Sequence, residues 1–455
     1  MVDFGQRLPP PPDQTQLSGY LSSLTPEQTD KLAELWLLVF RLYTAQLIDP
    51  EERPSSSSFF GFFAREEAPY RYVDDEGEPL FHDVSQMLHD VSPEELRASA
   101  WGAIMHDPPD SILLRFLRAR KWDVRLALRM MCSTVLWRHR ERILDLVERG
   151  DSGMEKLYEE RGERGWRFQW TSGKSYFFGL DRWSRPICII NVRLHFKRDQ
   201  DDEPMKKFTV LQIESARKML TPPGETACVI FNMTGFTLAN LDLAFVRYLI
   251  QCFEAYYPEC LGACLIHNAP WIFEPCWRMI RPWLDPVVAA KIRFTYGVEG
   301  LADYVEPSQL QEEFGGTNPF KWEYIPPRGG ENQLMQDTRA KKELLEKEER
   351  LRREFEQVTR EWAEARLWKN VEKAEQLWQK RKEELNPKLR QIALDLDPYI
   401  RGRVVYHRYG FITPEQTVNF SANLSGDNGT AAPAIHASPG EAITPAASAA
   451  AVADA

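Results

Sequence analysis

The sequence lacks a hydrophobic run long enough to cross a membrane. Although 43% of its 455 residues are hydrophobic, no apolar stretch approaches the roughly 20 residues that a bilayer-spanning helix needs. The N-terminal residues MVDFGQRLPPPP contain no apolar core of the kind found in secretory signals. The sequence therefore predicts a cytosolic protein whose membrane contacts, if it makes any, are peripheral and transient.

Cysteine is scarce and irregularly spaced. The seven cysteines lie between Cys132 and Cys276, and the closest pair, Cys260 and Cys264, is separated by three residues. Zinc and redox sites instead use recurrent pairs such as C-x-x-C. We expect reduced thiols in the core.

Motifs of common catalytic and cofactor sites are also missing. The sequence contains no GxSxG, HExxH or GxGxxG. Gly173-Lys174-Ser175 matches the end of a phosphate-binding loop, but Phe168 replaces the first glycine that the motif requires. His195 and His267 stand at the ends of predicted strands, where a hydrogen-bonded structural role is the default. We expect no metal, no cofactor and no enzymatic activity.

The charge balance is acidic. With 67 Asp and Glu against 57 Lys and Arg, the net charge is −10. Such a surface argues against nucleic-acid binding, and any membrane contact would depend on a local patch.

Composition divides the chain into six segments. They are a disordered and helical extension (1–75), a helical module (80–150), an α/β domain (160–325), a long charged helix (335–390), a docking segment (391–420) and a disordered tail (421–455). Within the extension, Thr25 and Pro26 open an amphipathic helix predicted over Leu24–Ile48. An aromatic cluster at 59–63 is predicted to dock on the rest of the chain.

The α/β domain alternates short apolar strands with helices. Continuous apolar strands of this kind are typical of a parallel or mixed sheet covered by helices. The predicted strands are Ser175–Phe178, Pro186–Val192, Ala227–Met233, Ala263–Ile266 and Ile292–Thr295. Helices are predicted over Pro204–Leu220 and Asn240–Tyr256.

An unusually apolar short segment follows the fourth strand. Between Trp271 and Leu284, prolines at 275 and 282 limit the helix to about two turns. Most of the other side chains are large and apolar. Such a helix is either wholly buried or faces an apolar ligand or a membrane.

Two further helical regions have distinctive charge patterns. The stretch LLRFLRARKWDV follows a helix start at Asp110 or Ser111 and has a basic face, and Asp123 is predicted to cap the next helix. From Ala340 to Leu385, Glu, Lys and Arg alternate with an apolar 4-3-4 spacing, which predicts one long helix. This helix either forms a short coiled coil or packs back on the main body, and the short run of heptads favours packing back.

Several motifs together resemble the CRAL-TRIO family. They are LLRFLRARKWDV, YYPE, NAPWIF, PWLDPVVAAKI and the terminal Phe-Gly-Gly turn at 314–316. The resemblance, which is to fungal phosphatidylinositol transfer proteins in particular, implies an N-terminal helical module and a helix-covered sheet that encloses an apolar lipid cavity. It implies that Arg120, Lys121, Glu259 and Lys291 bind the lipid head group.

The resemblance also implies that the apolar segment is a lid that contacts membranes. Its contact residues would be Trp271, Phe273, Trp277, Arg278, Ile280, Arg281 and Trp283. The expected function is transfer of phosphatidylinositol between membranes or its presentation at one.

Two departures from the family pattern keep alternatives open. Val288, Ala289 and Ala290 stand where related sequences carry hydroxyl side chains, and Cys188 replaces a tyrosine of the phosphatidylcholine site. Exchange of phosphatidylcholine is therefore not expected. The alternatives are a carrier or sensor of a sterol or terpenoid, and a lipid-dependent scaffold that binds a protein partner through the 340–385 helix.

Overall fold

A computed structural model of the chain describes residues 19–44, 46–47, 70–71, 81–220, 224–413 and 418–420. The predictions for the proline-rich start, the aromatic cluster at 59–63 and the tail from 421 lie outside these residues.

Helices dominate the described chain. In order they are α1 (Pro26–Leu42), α2 (His82–Leu88), α3 (Pro93–Ile104), α4 (Pro109–Ala119), α5 (Val124–Arg140), α6 (Ile143–Arg161), α7 (Trp166–Thr171), α8 (Asp202–Met219), α9 (Leu243–Gln251), α10 (Glu274–Ile280), α11 (Pro286–Ala289), α12 (Gly297–Ala302), α13 (Thr338–Leu367), α14 (Val371–Gln379), α15 (Asn386–Ile400) and α16 (Val405–Arg408).

The strands form a two-stranded ribbon and a five-stranded mixed sheet. The ribbon pairs β1 (Gln46–Leu47) with β2 (Tyr70–Arg71), and the sheet contains β3 (Ser175–Leu180), β4 (Pro186–Asn191), β5 (Ala227–Asn232), β6 (Leu261–His267) and β7 (Ile292–Thr295). All five predicted strands of the sheet are confirmed to within two residues at each end.

Strand order places the crossover helices on one face of the sheet. The order is β3-β4-β5-β6-β7; β3 is antiparallel to β4, and the other neighbours are parallel. Parallel crossovers are right-handed, and here every crossover advances in the same direction across the sheet. Helices α8, α9 and α10 therefore cover the same face.

The N-terminal helices and the C-terminal helices share one hydrophobic core. Side chains of α1, α3, α4 and α5 cluster with Phe355 and Trp362 of α13 and with Ala374 of α14. A second core joins the sheet to the segment after α15, where the Tyr406 hydroxyl accepts a hydrogen bond of 3.2 Å from the Phe177 N–H on edge strand β3.

Helix α13 confirms that a long charged helix packs back on the body, but it ends well before the predicted Leu385. It stops at Leu367, and Lys369 has φ 59°, a left-handed backbone that breaks the helix. The Asn370 side chain then accepts a hydrogen bond from the N–H of Lys373 and starts α14. The segment therefore turns back on itself.

The start of α4 also differs from the prediction. Its N-cap is Pro108, and the Asp110 side chain turns inward instead of capping the helix. There it accepts a hydrogen bond of 2.7 Å from Trp36 Nε1 and forms an ion pair with Arg381. Both ion-pair partners are fully buried, so this contact fastens the C-terminal helices to the N-terminal module. The predicted cap at Asp123 is confirmed.

Candidate functional site

A large apolar cavity lies between the sheet and the helices that cover it. It holds about 1870 Å³ of space free of atoms, including its open mouth. Among its lining side chains are Phe208 of α8, Phe245 and Leu249 of α9, and Val229 and Phe231 of β5. Such a space favours hydrocarbon, since each buried methylene contributes about 0.8 kcal/mol.

The segment predicted to be a lid closes one side of this cavity. It consists of a 3₁₀ turn at Trp271–Phe273, helix α10 and a second turn at Arg281–Trp283. On its inner side, Phe273, Trp277 and Ile280 line the cavity. The predicted set of lid residues therefore divides into an inner and an outer group.

The outer group is exposed. Trp271 is 85% exposed, and Met279 of α10 is 46% exposed. Arg278 is also exposed and pairs with Glu274 one turn earlier, and the side chain of Arg281 faces outward. A segment that exposes a tryptophan and two arginines has the composition that membrane interfaces favour.

One contact bridges the lid and α9. The guanidinium of Arg247 lies over the ring of Trp283, 4.2 Å from its centroid. Cation–π contacts of this type contribute about 0.5–1 kcal/mol when exposed. Because α9 and the lid both line the cavity, this contact holds two walls together.

Two of the predicted head-group residues contact each other. Lys291 Nζ lies 3.5 Å from Glu259 Oε2, and both side chains are about one-fifth exposed. Their chain neighbours Cys260 and Ile292 line the cavity, so the pair lies beside its wall. The separation is longer than the 2.7–3.2 Å of a good N–H···O hydrogen bond, which leaves donors and acceptors for a ligand.

The other two predicted residues are on α4 and the turn that follows it. Arg115 in the same helix donates from Nη1 to Cys260 Sγ at 3.1 Å, next to Glu259. Arg120 ends the helix half-buried, and the exposed Lys121 follows with a left-handed φ of 51°. Within the described ranges, no ion pair joins Arg120 or Lys121 to the Glu259–Lys291 pair.

Glu254 connects Arg120 with the loop before Lys291. Burial raises the pKa of Glu254, and the Arg120 charge partly offsets this effect. The same carboxylate accepts a hydrogen bond of 2.6 Å from the N–H of Asp285, where α11 begins. The contact between Arg115 and Cys260 places α4, which Arg120 ends, on the same side of the molecule as the Glu259–Lys291 pair.

The sequence analysis missed Tyr20 near this site. Arg118 stacks on its ring at 4.1 Å, and burial raises the pKa of Tyr20. The charges of Arg118, Glu225 and Glu259 act on the same hydroxyl. No motif in the sequence links a residue before α1 to this site.

The cysteines are free thiols, and most of them are buried. All seven are free and six are buried. Burial raises the pKa of Cys188, which lines the cavity, to about 12, so its thiol stays protonated. The described residues contain no cluster of ligands that could hold a metal ion and no helix long and apolar enough to span a membrane.

Family models match both predicted modules. The model of the CRAL/TRIO domain matches residues 171–316, and that of the CRAL/TRIO N-terminal domain matches residues 81–133. The first match contains the sheet and the lid, and the second contains α4 with Arg120 and Lys121.

Similar proteins come from fungi. A CRAL-TRIO domain-containing protein of Schizosaccharomyces pombe is 39% identical over 346 residues, which are 76% of this chain and 75% of that protein. The phosphatidylinositol transfer protein CSR1 of Eremothecium gossypii is 33% identical over 86% of this chain and 98% of its own length. The SEC14 cytosolic factor of the same organism is 29% identical over 50% of this chain and 77% of its own length.

These matches span both modules and most of the length of two relatives. The chain therefore belongs to the CRAL-TRIO family.

Proposed function

We propose that this protein extracts phosphatidylinositol from a membrane into its cavity and moves it to, or presents it at, another membrane. The observation that carries the proposal is the juxtaposition of a lid-covered apolar cavity with the Glu259–Lys291 pair at its wall. The relatives named as phosphatidylinositol transfer proteins support the same lipid class.

The head group has groups of both charges to bind. Lys291, with Arg120 and Lys121 from the α4 side, supplies cations for the phosphodiester through charge-assisted hydrogen bonds. Glu259 supplies acceptors for inositol hydroxyls. The acyl chains occupy the apolar space between the sheet and the lid.

Lid opening is coupled to the membrane. The exposed Trp271, with Arg278 and Arg281, binds an anionic interface, and the inner side chains of the lid follow when it swings outward. A membrane promotes opening only if it binds the open form more strongly than the closed form. Extraction and release require no covalent step, in agreement with the expectation that the protein is not an enzyme.

The proposal is tested by transfer of labelled lipid from donor to acceptor vesicles. Phosphatidylinositol, phosphatidylcholine and a sterol are compared with the full chain and with Lys291→Ala. Lys156→Ala is the control, because Lys156 is an exposed lysine on α6.

We expect transfer of phosphatidylinositol by the wild type and by the control, and its loss in Lys291→Ala. Efficient transfer of sterol that is equal in all three proteins would favour the sterol alternative. Equal transfer of phosphatidylinositol by all three proteins would show that Lys291 does not bind the head group.

A further inference from the structure

The cavity has a second polar end, formed around Lys174. This residue directly precedes β3, its side chain is 2% exposed, and it lines the cavity. Its ammonium donates a hydrogen bond of 2.9 Å to Gln200 Oε1. In the portions of the chain that the structure describes, no carboxylate lies within ion-pair distance of it.

A lysine in this position is unusual. An ammonium has three N–H donors, and Gln200 is the one hydrogen-bond acceptor that the described residues offer it. The ring of Phe168, whose centroid is 5.6 Å away, adds a cation–π contact but no acceptor for these N–H groups. Burial lowers the pKa of Lys174 to about 7, although the Asp199 carboxylate opposes the shift. Buried cations are normally paired, so an anionic ligand would stabilise this one.

His195 faces the same end of the cavity. It also lines the cavity, and the described residues offer no hydrogen-bond partner to its buried Nε2 atom. Asp242 Oδ2 is 3.7 Å from this atom, and the other oxygen of that carboxylate caps α9 by accepting from the N–H of Phe245. The Asn191 N–H donates a hydrogen bond of 2.8 Å to the Lys174 carbonyl, and the His195 N–H donates one of 3.0 Å to the carbonyl of Val192, the residue after Asn191. Lys174 and His195 therefore belong to the same end of the cavity, and burial lowers the pKa of His195.

This end is separate from the proposed inositol site. Ser175, next to Lys174, pairs with Ile190 near the carboxyl end of β4. Glu259 and Lys291 instead precede the amino ends of the parallel strands β6 and β7. Strands of about six residues at ~3.3 Å per residue place the two edges about 20 Å apart. An apolar wall lies between them.

We propose that Lys174 and His195 form a second binding subsite for an anionic oxygen of a lipid whose hydrocarbon chain lies along that wall. The ligand class is a single-chain amphiphile with a carboxylate or a phosphate at this end. The inference rests on the proposed lipid cavity, but not on the assignment of phosphatidylinositol to Glu259 and Lys291.

The test compares three C18 ligands on the full-length protein: a fatty acid, the matching fatty alcohol and the matching lysophosphatidic acid. Affinities are measured by displacement of an apolar fluorescent probe. We expect the wild type to bind at least one of the two anions about tenfold or more tightly than the alcohol. The anion that shows this preference identifies its source as a fatty acid or a phospholipid.

Lys174→Met is expected to abolish the preference and leave binding of the alcohol unchanged. If the methionine variant does not fold, the same comparison is made with Lys174→Gln, which keeps a hydrogen-bonding side chain. Lys156→Met, the same change at an exposed site on α6, should retain the preference. A wild type that binds acid, lysophosphatidic acid and alcohol equally would overturn the inference, as would a preference that survives both Lys174 variants.

Loading of phosphatidylinositol is measured on the same preparations. If phosphatidylinositol loads and the anion preference is absent, the second subsite alone is wrong. If no lipid or probe binds to any of the proteins, the proposed function fails together with it.

Discussion

Exchanging the charges of Glu259 and Lys291 separates two roles that the structure allows for this pair. At 3.5 Å and an effective dielectric constant near 20, the gross attraction is about 5 kcal/mol. Desolvation and side-chain entropy offset most of it, so partly exposed pairs contribute about 1 kcal/mol or less to folding. Each single replacement, Glu259→Lys or Lys291→Glu, loses this contribution and adds a repulsion of similar size between two like charges, so it should lower the free energy of unfolding by about 1–2 kcal/mol.

The effect on loading should be larger. A hydrogen bond to a charged group contributes about 1.5–3 kcal/mol, which corresponds to a loss of about 10- to 100-fold in phosphatidylinositol affinity. In the double swap, Glu259→Lys with Lys291→Glu, the ion pair is restored. The phosphate then meets a carboxylate at position 291, and the inositol hydroxyls meet an ammonium at position 259.

The assay combines chemical denaturation with loading of labelled phosphatidylinositol from vesicles. We expect the double swap to recover stability and not loading. The matched control exchanges Lys341 and Glu148, a pair at 3.3 Å between α13 and α6, and should leave loading unchanged. If the double swap recovers stability and loading together, the pair is a structural salt bridge and the head-group assignment is refuted.

Three further predictions concern the lid and the stability of the fold. Trp271→Ala should weaken binding to anionic vesicles and slow transfer without changing the lipid already loaded, because this side chain is 85% exposed and is not part of the cavity wall. Unchanged vesicle binding would contradict a role of Trp271 in membrane contact. Arg247→Ala removes the contact with Trp283 and should accelerate lipid exchange by up to about fivefold. The rate is measured by stopped-flow release of a fluorescent lipid, and unchanged or slower release would mean that the contact does not hold the lid closed. Burial lowers the pKa of His106 to about 4. Between pH 6.5 and 4 the unfolded state therefore binds a proton that the native state does not, and the melting temperature should fall as the pH falls through this window. His106→Gln should reduce the slope of melting temperature against pH.

The sequence predicted the sheet and the short helix of the apolar segment well, because their signals are local. Continuous apolar runs such as ICIINV, which follows Pro186, mark the strands, and Pro275 and Pro282 limit the length of the short lid helix. The inward and outward sides of the lid were not separable, since nearly all of its residues are apolar. Only packing against the sheet shows that Phe273 turns inward and Trp271 outward.

The C-terminal part was harder to predict because its role depends on long-range contacts. The alternating charges of α13 continue past Leu367, and the break at Lys369 has no proline or glycine to mark it. Nor can a sequence show that Arg381 pairs with Asp110, 271 positions away. Since Phe355 and Tyr406 belong to the two cores, deleting residues 338–455 would damage the fold.

Such a deletion is therefore unsuitable as a test of the scaffold alternative. Substitutions on the exposed face of α13 test it without disturbing the cores.

The head-group residues were inferred from the family resemblance, and the structure brings only two of them into contact. Glu259 and Lys291 pair directly, whereas the described residues show no ion pair between Arg120 or Lys121 and these two side chains. Lys174 was considered only as part of a failed phosphate-loop motif. Lys174 is buried in the cavity wall because β3, which follows it, pairs with β4, and the sequence does not show this pairing.

The most direct test of phosphatidylinositol binding is mass spectrometry of the lipids that co-purify with the full-length protein from a eukaryotic host. The wild type is compared with Glu259→Lys, which places two ammonium groups where the ion pair lies. We predict phosphatidylinositol in the wild type and its absence from the variant. A sterol or terpenoid present equally in both proteins, with no phosphatidylinositol in either, would contradict the proposed function.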